Sequence, residues 1–443
     1  MTSPGNRKIG IVGGGMLGLT LALRLAESGF NVTVLEKSTG IGGVLKPARI
    51  GNYSWDQFYH VILLSDMHLR KLIEELGLTD RIEWGETRTG FYTDGRLYSM
   101  SNTLEFLSFP PLSLFDKLRL GFTIFYASRI KNWEKLEDFT VSDWLIRLSG
   151  QATFDKIWLP LLKSKLGEYY KITSAAFIWA AIARMYSARR TGLKKEMFGY
   201  IKGGYDHVLN RFDEILSQKG VNVLLETEVR EIAHTEGEVR CIAGGRTLDY
   251  DAVIMTLPST EIPALVPAMT EREKKQMLST TYESVICPTY LLRKPLAGFY
   301  VMNITDGHLP FTGVIEMTAL MDRNYFDGHS LVYLPRYLAF EDPLWSKGDK
   351  EITEDFLSAL EVIYPALSGE DVVASSLSRA RNVMPVPTLN YSKKVLPSTI
   401  TSIVNIFIVN SAQIANGTMN INEIVGLAER KAVEVSNILY RST

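Results

Sequence analysis

The apolar and polar positions of this 443-residue chain fall into short rhythms that mark its elements. Lys8 to Val12 is an apolar run that stops at glycines. From Leu17 to Gly29, leucines interleave with Ala22 and Ala26 in a helical pattern, and Asn31 to Leu35 is apolar and β-branched. Strand, turn, helix and strand in that order predict a βαβ unit, whose right-handed connection makes its two strands parallel neighbours. Residues 66–78 predict a helix with Leu69, Leu72, Ile73 and Leu76 on one face and Gly77 as its stop. Tyr92 to Tyr98 reads as a hairpin turning at Asp94-Gly95.

Residues 140–190 predict several helices, and another runs from about 205 to 218. Val221 to Ile232 and Asp249 to Leu257 each read as one strand. Residues 283–340 alternate strand-like runs with turns, as in an antiparallel sheet. Thr353 to Tyr364 predicts a helix, Ile403 to Asn410 a buried strand, and Asn420 to Leu439 a closing helix. No sharp linker or repeat divides the chain, so its domains should be built from interleaved segments.

Composition narrows the classes. Lys+Arg number 48 and Asp+Glu 49, for a formal charge of -1. A nucleic-acid binder would be basic, so that partner is not expected. Hydrophobic residues make up 46%, enough for a large core. Only Cys241 and Cys287 carry thiols, too few for a disulfide framework and without a metal-ligand neighbour, so no metal is expected. No leader pattern precedes the first strand and no long uncharged apolar run occurs. A cytoplasmic setting is the expectation.

Gly13-Gly14-Gly15-Met16-Leu17-Gly18 fits G-x-G-x-x-G between a predicted strand and helix. Gly13 permits the tight turn, Gly15 lets the backbone approach a pyrophosphate, and Gly18 lets helix and strand pack closely. The helix N-terminus offers unpaired N–H groups to the phosphates. Glu36, 18 residues beyond Gly18, can accept hydrogen bonds from a ribose diol. The motif and its setting predict dinucleotide binding.

Just beyond, Glu36-Lys-Ser-Thr-Gly40-Ile-Gly42-Gly43 adds a second glycine pair. Here the chain resembles the FAD-dependent oxidoreductases that include protoporphyrinogen oxidases, amine oxidases, phytoene desaturases and UDP-galactopyranose mutases. Asn52 to His60, with Asp56 inside it, is similar to a family strand near the flavin. Gly203-Gly204 is similar to the return into the cofactor domain. Thr227-Glu228-Val229 is similar to the strand whose valine backbone meets the adenine, and Asp251 to Pro258 to the strand ending in Pro beside the cofactor. The strand before Met419-Asn420, and the helix after them, resemble the segment whose helix N-terminus faces the flavin pyrimidine.

The resemblance implies an α/β fold: a Rossmann-like doubly wound FAD-binding domain with an interleaved α+β substrate domain. The first is expected from residues 1–100, 200–260 and 400–443, and the second from 101–199 and 261–399. FAD is the implied cofactor, held noncovalently by Gly13, Gly14, Gly15, Met16, Leu17, Gly18, Glu36, Lys37, Gly42, Gly43, Val44, Val229, Pro258, Met419 and Asn420. Three positions depart from the family pattern. Val44 stands where many members have Arg, Asn410-Ser411 where Gly-Asp is usual, and Cys287 where amine oxidases carry a lysine near flavin N5.

On the substrate side, His60 and Tyr59 are the candidate catalytic residues; His60 either moves protons near neutral pH or is a histidine buried within its strand. Residues 104–130, rich in Leu, Phe and Pro, are expected to form the helical core of the substrate domain; peripheral membrane contact is the less favoured reading. Arg184, Tyr186 and Arg381 are candidate substrate contacts, with Arg189, Arg190, Lys194, Lys195 and Arg379 as further basic residues; these cations either bind a phosphate or belong to a solvated surface, the second being the favoured reading. Trp158 and Trp179 are expected in the core. The expected reaction is hydride removal from a small molecule. A non-redox sugar-nucleotide isomerase like UDP-galactopyranose mutase is the alternative, and a noncatalytic flavin-binding protein a second. Oligomeric state is not readable.

Overall fold

The computed structural model describes residues 7–101, 103–189, 197–235, 237–415 and 419–441. A five-stranded parallel sheet holds the order Asn222–Leu224, Asn31–Leu35, Lys8–Val12, Ala252–Met255, Ile406–Ile408. Ile9 lies opposite Val32 on one side and Ala252 on the other. The strand interiors are mostly apolar because helices and a second layer cover both faces. The helix Met16–Glu27 packs against the closing helix Ile421–Arg441, and Arg24 ties them together through Glu429. Strand order reverses between Lys8–Val12 and Ala252–Met255, so a crevice opens where Val12 and Met255 end.

Two expected strands are each two strands. The run 221–232 divides into Asn222–Leu224, in the parallel sheet, and Val229–Thr235, in a three-stranded antiparallel meander. Glu226, at φ +51, turns the chain between them. The run 249–257 divides into Arg246–Tyr250 and Ala252–Met255. At the break, Asp251 exchanges hydrogen bonds with the backbone of Lys8 and so joins the first strand. Continuous apolar character conceals both changes of sheet.

The second large sheet has eight strands, with Tyr282–Leu292 at its centre, paired to Ser330–Tyr333, Arg336–Leu338 and Val372–Pro385. The hairpin Thr89–Thr93 and Arg96–Ser99 turns at Asp94-Gly95 as expected. It joins this sheet through Val301–Ile304 rather than the parallel one, with Phe91 buried in the helical core and Tyr92 in the core of this sheet.

Helices Val141–Ser149, Leu159–Leu166 and Ala175–Arg189 enclose their own core with Trp144 and Trp158. Trp179 packs at its edge and donates to the Ile130 carbonyl. The segment 104–130 meets its expected core role in part: Phe109, Leu112, Leu120 and Ala127 lie in the helical core. In the helix Leu114–Ala127 only Leu120, Thr123, Ala127 and the stem of Lys117 are buried. Leu114, Phe115, Leu118, Phe122, Phe125 and Tyr126 face outward, with Leu118 65% exposed. Composition signalled burial, but two of the helix's faces are apolar and only one meets protein.

Candidate cofactor and active site

The crevice is built from backbone. Gly13 takes φ +111, and a Cβ there would collide with Thr256 Oγ1. A Cβ on Gly18 would overlap the Gly13 carbonyl oxygen, so the helix can approach the strand only as glycine. Gly15 differs from both. Its φ is -76, it precedes the helix as N-cap, and a Cβ on it would meet nothing within 4 Å. Space is kept in front of the helix N-terminus, where a phosphate would accept from main-chain N–H groups. Gly42 donates to the Gly14 carbonyl at 2.7 Å, and Gly43 lies against Gly15. The second glycine pair is thereby stitched onto the first turn. Met16 and Leu17 are buried beneath it, while Lys37 and Val44 are exposed.

Glu36 sits at the end of Asn31–Leu35, half-buried. Oε2 accepts from Gly14 N at 2.7 Å, and Oε1 from Ser38 N at 2.9 Å and from Ser38 Oγ. Burial alone would raise this carboxyl, but those bonds and the nearby Lys46 charge bring it below its ordinary value. It is therefore an ionised acceptor with lone pairs left for a diol. Thr227 N donates to the Glu36 carbonyl, which brings the Val229 segment alongside.

At the other side of the crevice, Asn410 Nδ2 donates to the Leu257 carbonyl at 2.9 Å, and Asn410 Oδ1 accepts from Ala412 N. Asn410 thus braces the Pro258 turn against the following segment, a job for an amide that carries both a donor and an acceptor. Asn420 Oδ1 caps the closing helix by accepting from Glu423 N. Residues 416–418, just before Met419, lie outside the described residues.

His60 and Tyr59 follow the strand Tyr53–Asp56. The imidazole is bonded to the Val44 backbone and stands edge-on to Tyr205, with ring centroids 5.6 Å apart. Burial lowers its pKa to about 4, against the raising effect of the Val44 bond. It is neutral at physiological pH, which corrects the expectation of a group titrating near neutrality. Nε2 is buried without a hydrogen-bond partner. Burial also raises the Tyr59 phenol to about 12, so it stays protonated. Lys165 Nζ donates to its oxygen at 3.0 Å, and Tyr337 OH lies 3.4 Å from it.

Two buried acids join the site, Asp56 from the segment that resembles a family strand near the flavin and Glu283, which the sequence reading missed. Asp56 is buried, accepts from Tyr205 N at 2.8 Å, and is pushed up to about 7 by burial. Glu283 lies on Tyr282–Leu292, fully buried. For Glu283 the available signal was an acid beside a long apolar strand.

The sequence profile of the family described as flavin containing amine oxidoreductase matches residues 17–391. The chain belongs to that family. It is 22% identical over 347 residues to "Protoporphyrinogen oxidase 2, chloroplastic/mitochondrial" of Arabidopsis thaliana, covering 67% of each chain. It is 27% identical over 284 residues to "Coproporphyrinogen III oxidase" of Mycobacterium tuberculosis, covering 59% of this chain and 61% of that one. The matches thus span roughly two thirds of these relatives. The fold superposes on wild-type putrescine oxidase bound to putrescine with a TM-score of 0.74 at 17% identity, covering 97% of this chain and 99% of that one. As a member of the family, the protein is a flavin-dependent oxidoreductase of the protoporphyrinogen oxidase and amine oxidase type, and it acts on a small molecule. Its cofactor is FAD, and the open cradle at Gly15 with ionised Glu36 beside it fits a dinucleotide diphosphate and ribose.

In this flavoenzyme the expected phosphate-binding arginines are otherwise engaged. Arg184 Nη2 lies 2.8 Å from both oxygens of buried Asp66 and fastens one helix to the start of another. Arg381 stacks on Phe340 and Trp345, with centroids at 3.9 and 4.5 Å. Arg379 is held by two carbonyls and Asp349. The Tyr186 side chain and residues 190–196, with Arg190, Lys194 and Lys195, lie outside the described residues, as does the Arg189 side chain. Cys287 is fully buried and its thiol is pushed up by burial, so it does not stand in for a lysine chemically. Among the described residues no acid, His and Cys cluster could hold a metal, and no helix is long and apolar enough to cross a membrane.

Proposed function

We propose that this flavoenzyme oxidises a C–H bond of a small organic substrate bound beside Tyr59 and His60. FAD is placed along Gly13–Gly18, Glu36, Lys37, Gly42–Val44, Val229, Pro258 and Met419-Asn420. The observation that carries this reading is the Gly15 cradle, with the Gly42–Gly43 segment fastened across it. The cofactor-binding part is read as residues 1–100, 200–260 and 400–443, less the hairpin that joins the second sheet.

Bound there, FAD supplies the hydride acceptor. The chain does the rest. Neutral His60 is the group that takes up a substrate proton. Tyr59, kept protonated and held by Lys165, orients the substrate as a donor. The buried aromatics Trp55, Tyr300 and Tyr333 exclude water. The engaged arginines leave the sugar-nucleotide isomerase reading without its phosphate clamp among the described residues. Anaerobic mixing with candidate substrates tests the proposal. Bleaching of the flavin band without added reductant supports it, whereas turnover only after prior flavin reduction contradicts it.

A second reading concerns the outward face of Leu114–Ala127. We propose that it rests on an anionic lipid surface, because its apolar row is flanked by Arg119 over Phe115 and Arg129 over Phe125. Two buried, unpaired thiols are consistent with a reducing cytoplasmic setting. Co-sedimentation with phosphatidylserine vesicles should fall sharply in Leu118→Asp/Phe122→Asp, and equal binding by wild type and variant would refute the contact.

A further inference from the structure

Buried acids in this fold are mostly answered by a cation or by several donors. Asp66 has Arg184, and Asp371 has Lys294. Asp56 has less. Its side chain makes one hydrogen bond among the described residues, accepted by Oδ1 from Tyr205 N at 2.8 Å. The charged group that acts on it is Asp206, a like charge that adds to the effect of burial. Tyr205 and Tyr333 feel the charge of Asp56 in turn, and burial holds both phenols well above their ordinary value, so neither competes for its proton.

The carboxyl borders a partly open cavity of about 190 Å³, which Trp55, Gln57, Thr289, Tyr333 and Ser376 also line. Thr289 Oγ1 is buried without a hydrogen-bond partner. Unpaired polar groups around such a space suit water, and water gives the acid a route for protons. Two contacts tie Asp56 to the proposed flavin site. The next residue, Gln57, donates from Nε2 to the Gly43 carbonyl at 3.4 Å, on the segment fastened across the Gly15 cradle. Tyr205 donates to Asp56 through its backbone while its ring stands edge-on to His60.

We infer that Asp56 is coupled to the flavin, taking up a proton when the flavin is reduced and giving it back on reoxidation. Reduction brings negative charge to the site, and a like charge nearby favours the neutral form of a buried acid. The carboxyl is poised for the change, because burial already brings it to about 7. His60, lowered to about 4, does not keep a proton at neutral pH. In turnover the substrate loses a hydride and a proton. The hydride carries the electron pair of the broken C–H bond to the flavin, and the proton ends in a new O–H bond on Asp56. The inference deepens the proposed function and rests on the flavin lying along Gly42–Val44.

Electrochemical reduction of the flavin-loaded protein, with an indicator dye in weak buffer, tests it without any substrate. At about pH 8 wild type should take up about one proton more per flavin than Asp56→Asn, and at about pH 5.5, where the acid is already protonated, the two should agree. Asp206→Asn, which leaves the acid in place, should keep the extra proton. Infrared difference spectra need no variant: reduction of wild type at about pH 8 should bring up the C=O band of a protonated carboxyl. Equal uptake by wild type and Asp56→Asn at the higher pH, absence of that band, or an extra proton kept in Asp56→Asn and lost in Asp206→Asn overturns the inference. Protein that takes up no FAD contradicts the proposed function and the inference with it, whereas loaded protein that fails these readings overturns the inference alone.

Discussion

Gly15→Val separates cofactor binding from folding. Gly15 already has a φ of -76, which valine accepts, and its Cβ direction leads into empty space. The unliganded fold should lose no more than about 1 kcal/mol, from a poorer N-cap residue. The bound state is different. A branched side chain fills the place kept for the diphosphate and forces it away from the helix N-terminus. Hydrogen bonds to charged groups contribute about 1.5–3 kcal/mol each, so losing two weakens FAD by roughly 3–6 kcal/mol, or about a hundred- to ten-thousandfold. The assay pairs flavin content after gel filtration with thermal unfolding of the stripped protein. The variant should emerge colourless and melt close to stripped wild type. Wild-type flavin content would refute the placement of the diphosphate. A large loss of stripped-protein stability would refute the claim that Gly15 serves the ligand. Gly18→Ala is the contrast: its Cβ overlaps the Gly13 carbonyl oxygen, so it should damage the fold itself.

Asp56 makes stability depend on pH. Its carboxyl is raised by burial to about 7 from 3.8, so between those values the folded chain keeps a proton that the unfolded chain has released. Stability should fall as pH rises through that window, by at most about 4 kcal/mol, and level off above it. Asp56→Asn should flatten the denaturation-midpoint curve of the stripped protein over pH 4–7, and an unchanged slope would count against this assignment. Arg184→Met leaves Asp66 buried without its cation, and chemical denaturation should report a loss of about 2 kcal/mol, since Arg184 is partly exposed. Cys287 should resist thiol reagents in native protein and react only on unfolding, because it is fully buried.

The opening βαβ unit was legible because its signals are local. Glycine spacing, the leucine pattern of the first helix and Glu36 are all set by neighbours in sequence, and the parallel order follows from chain handedness. Partnership was not legible. Arg184 and Arg381 look like phosphate ligands as residue types, but Asp66, Phe340 and Trp345 reach them only through tertiary folding. His60 looked like a titrating imidazole until burial set its direction. The outward row of the helix Leu114–Ala127 was hidden for a related reason: periodicity identifies apolar faces but not which face meets protein. Glu283 gave no signal beyond an acid in an apolar run, because a missing partner is visible only once every neighbour is placed.

The most direct test of the central claim is the absorbance spectrum of the purified protein, with mass analysis of whatever acid precipitation releases. A yellow protein that releases one FAD per chain is the expected result. Colourless protein that takes up no flavin when FAD is added, or that releases a nicotinamide dinucleotide instead, would contradict it.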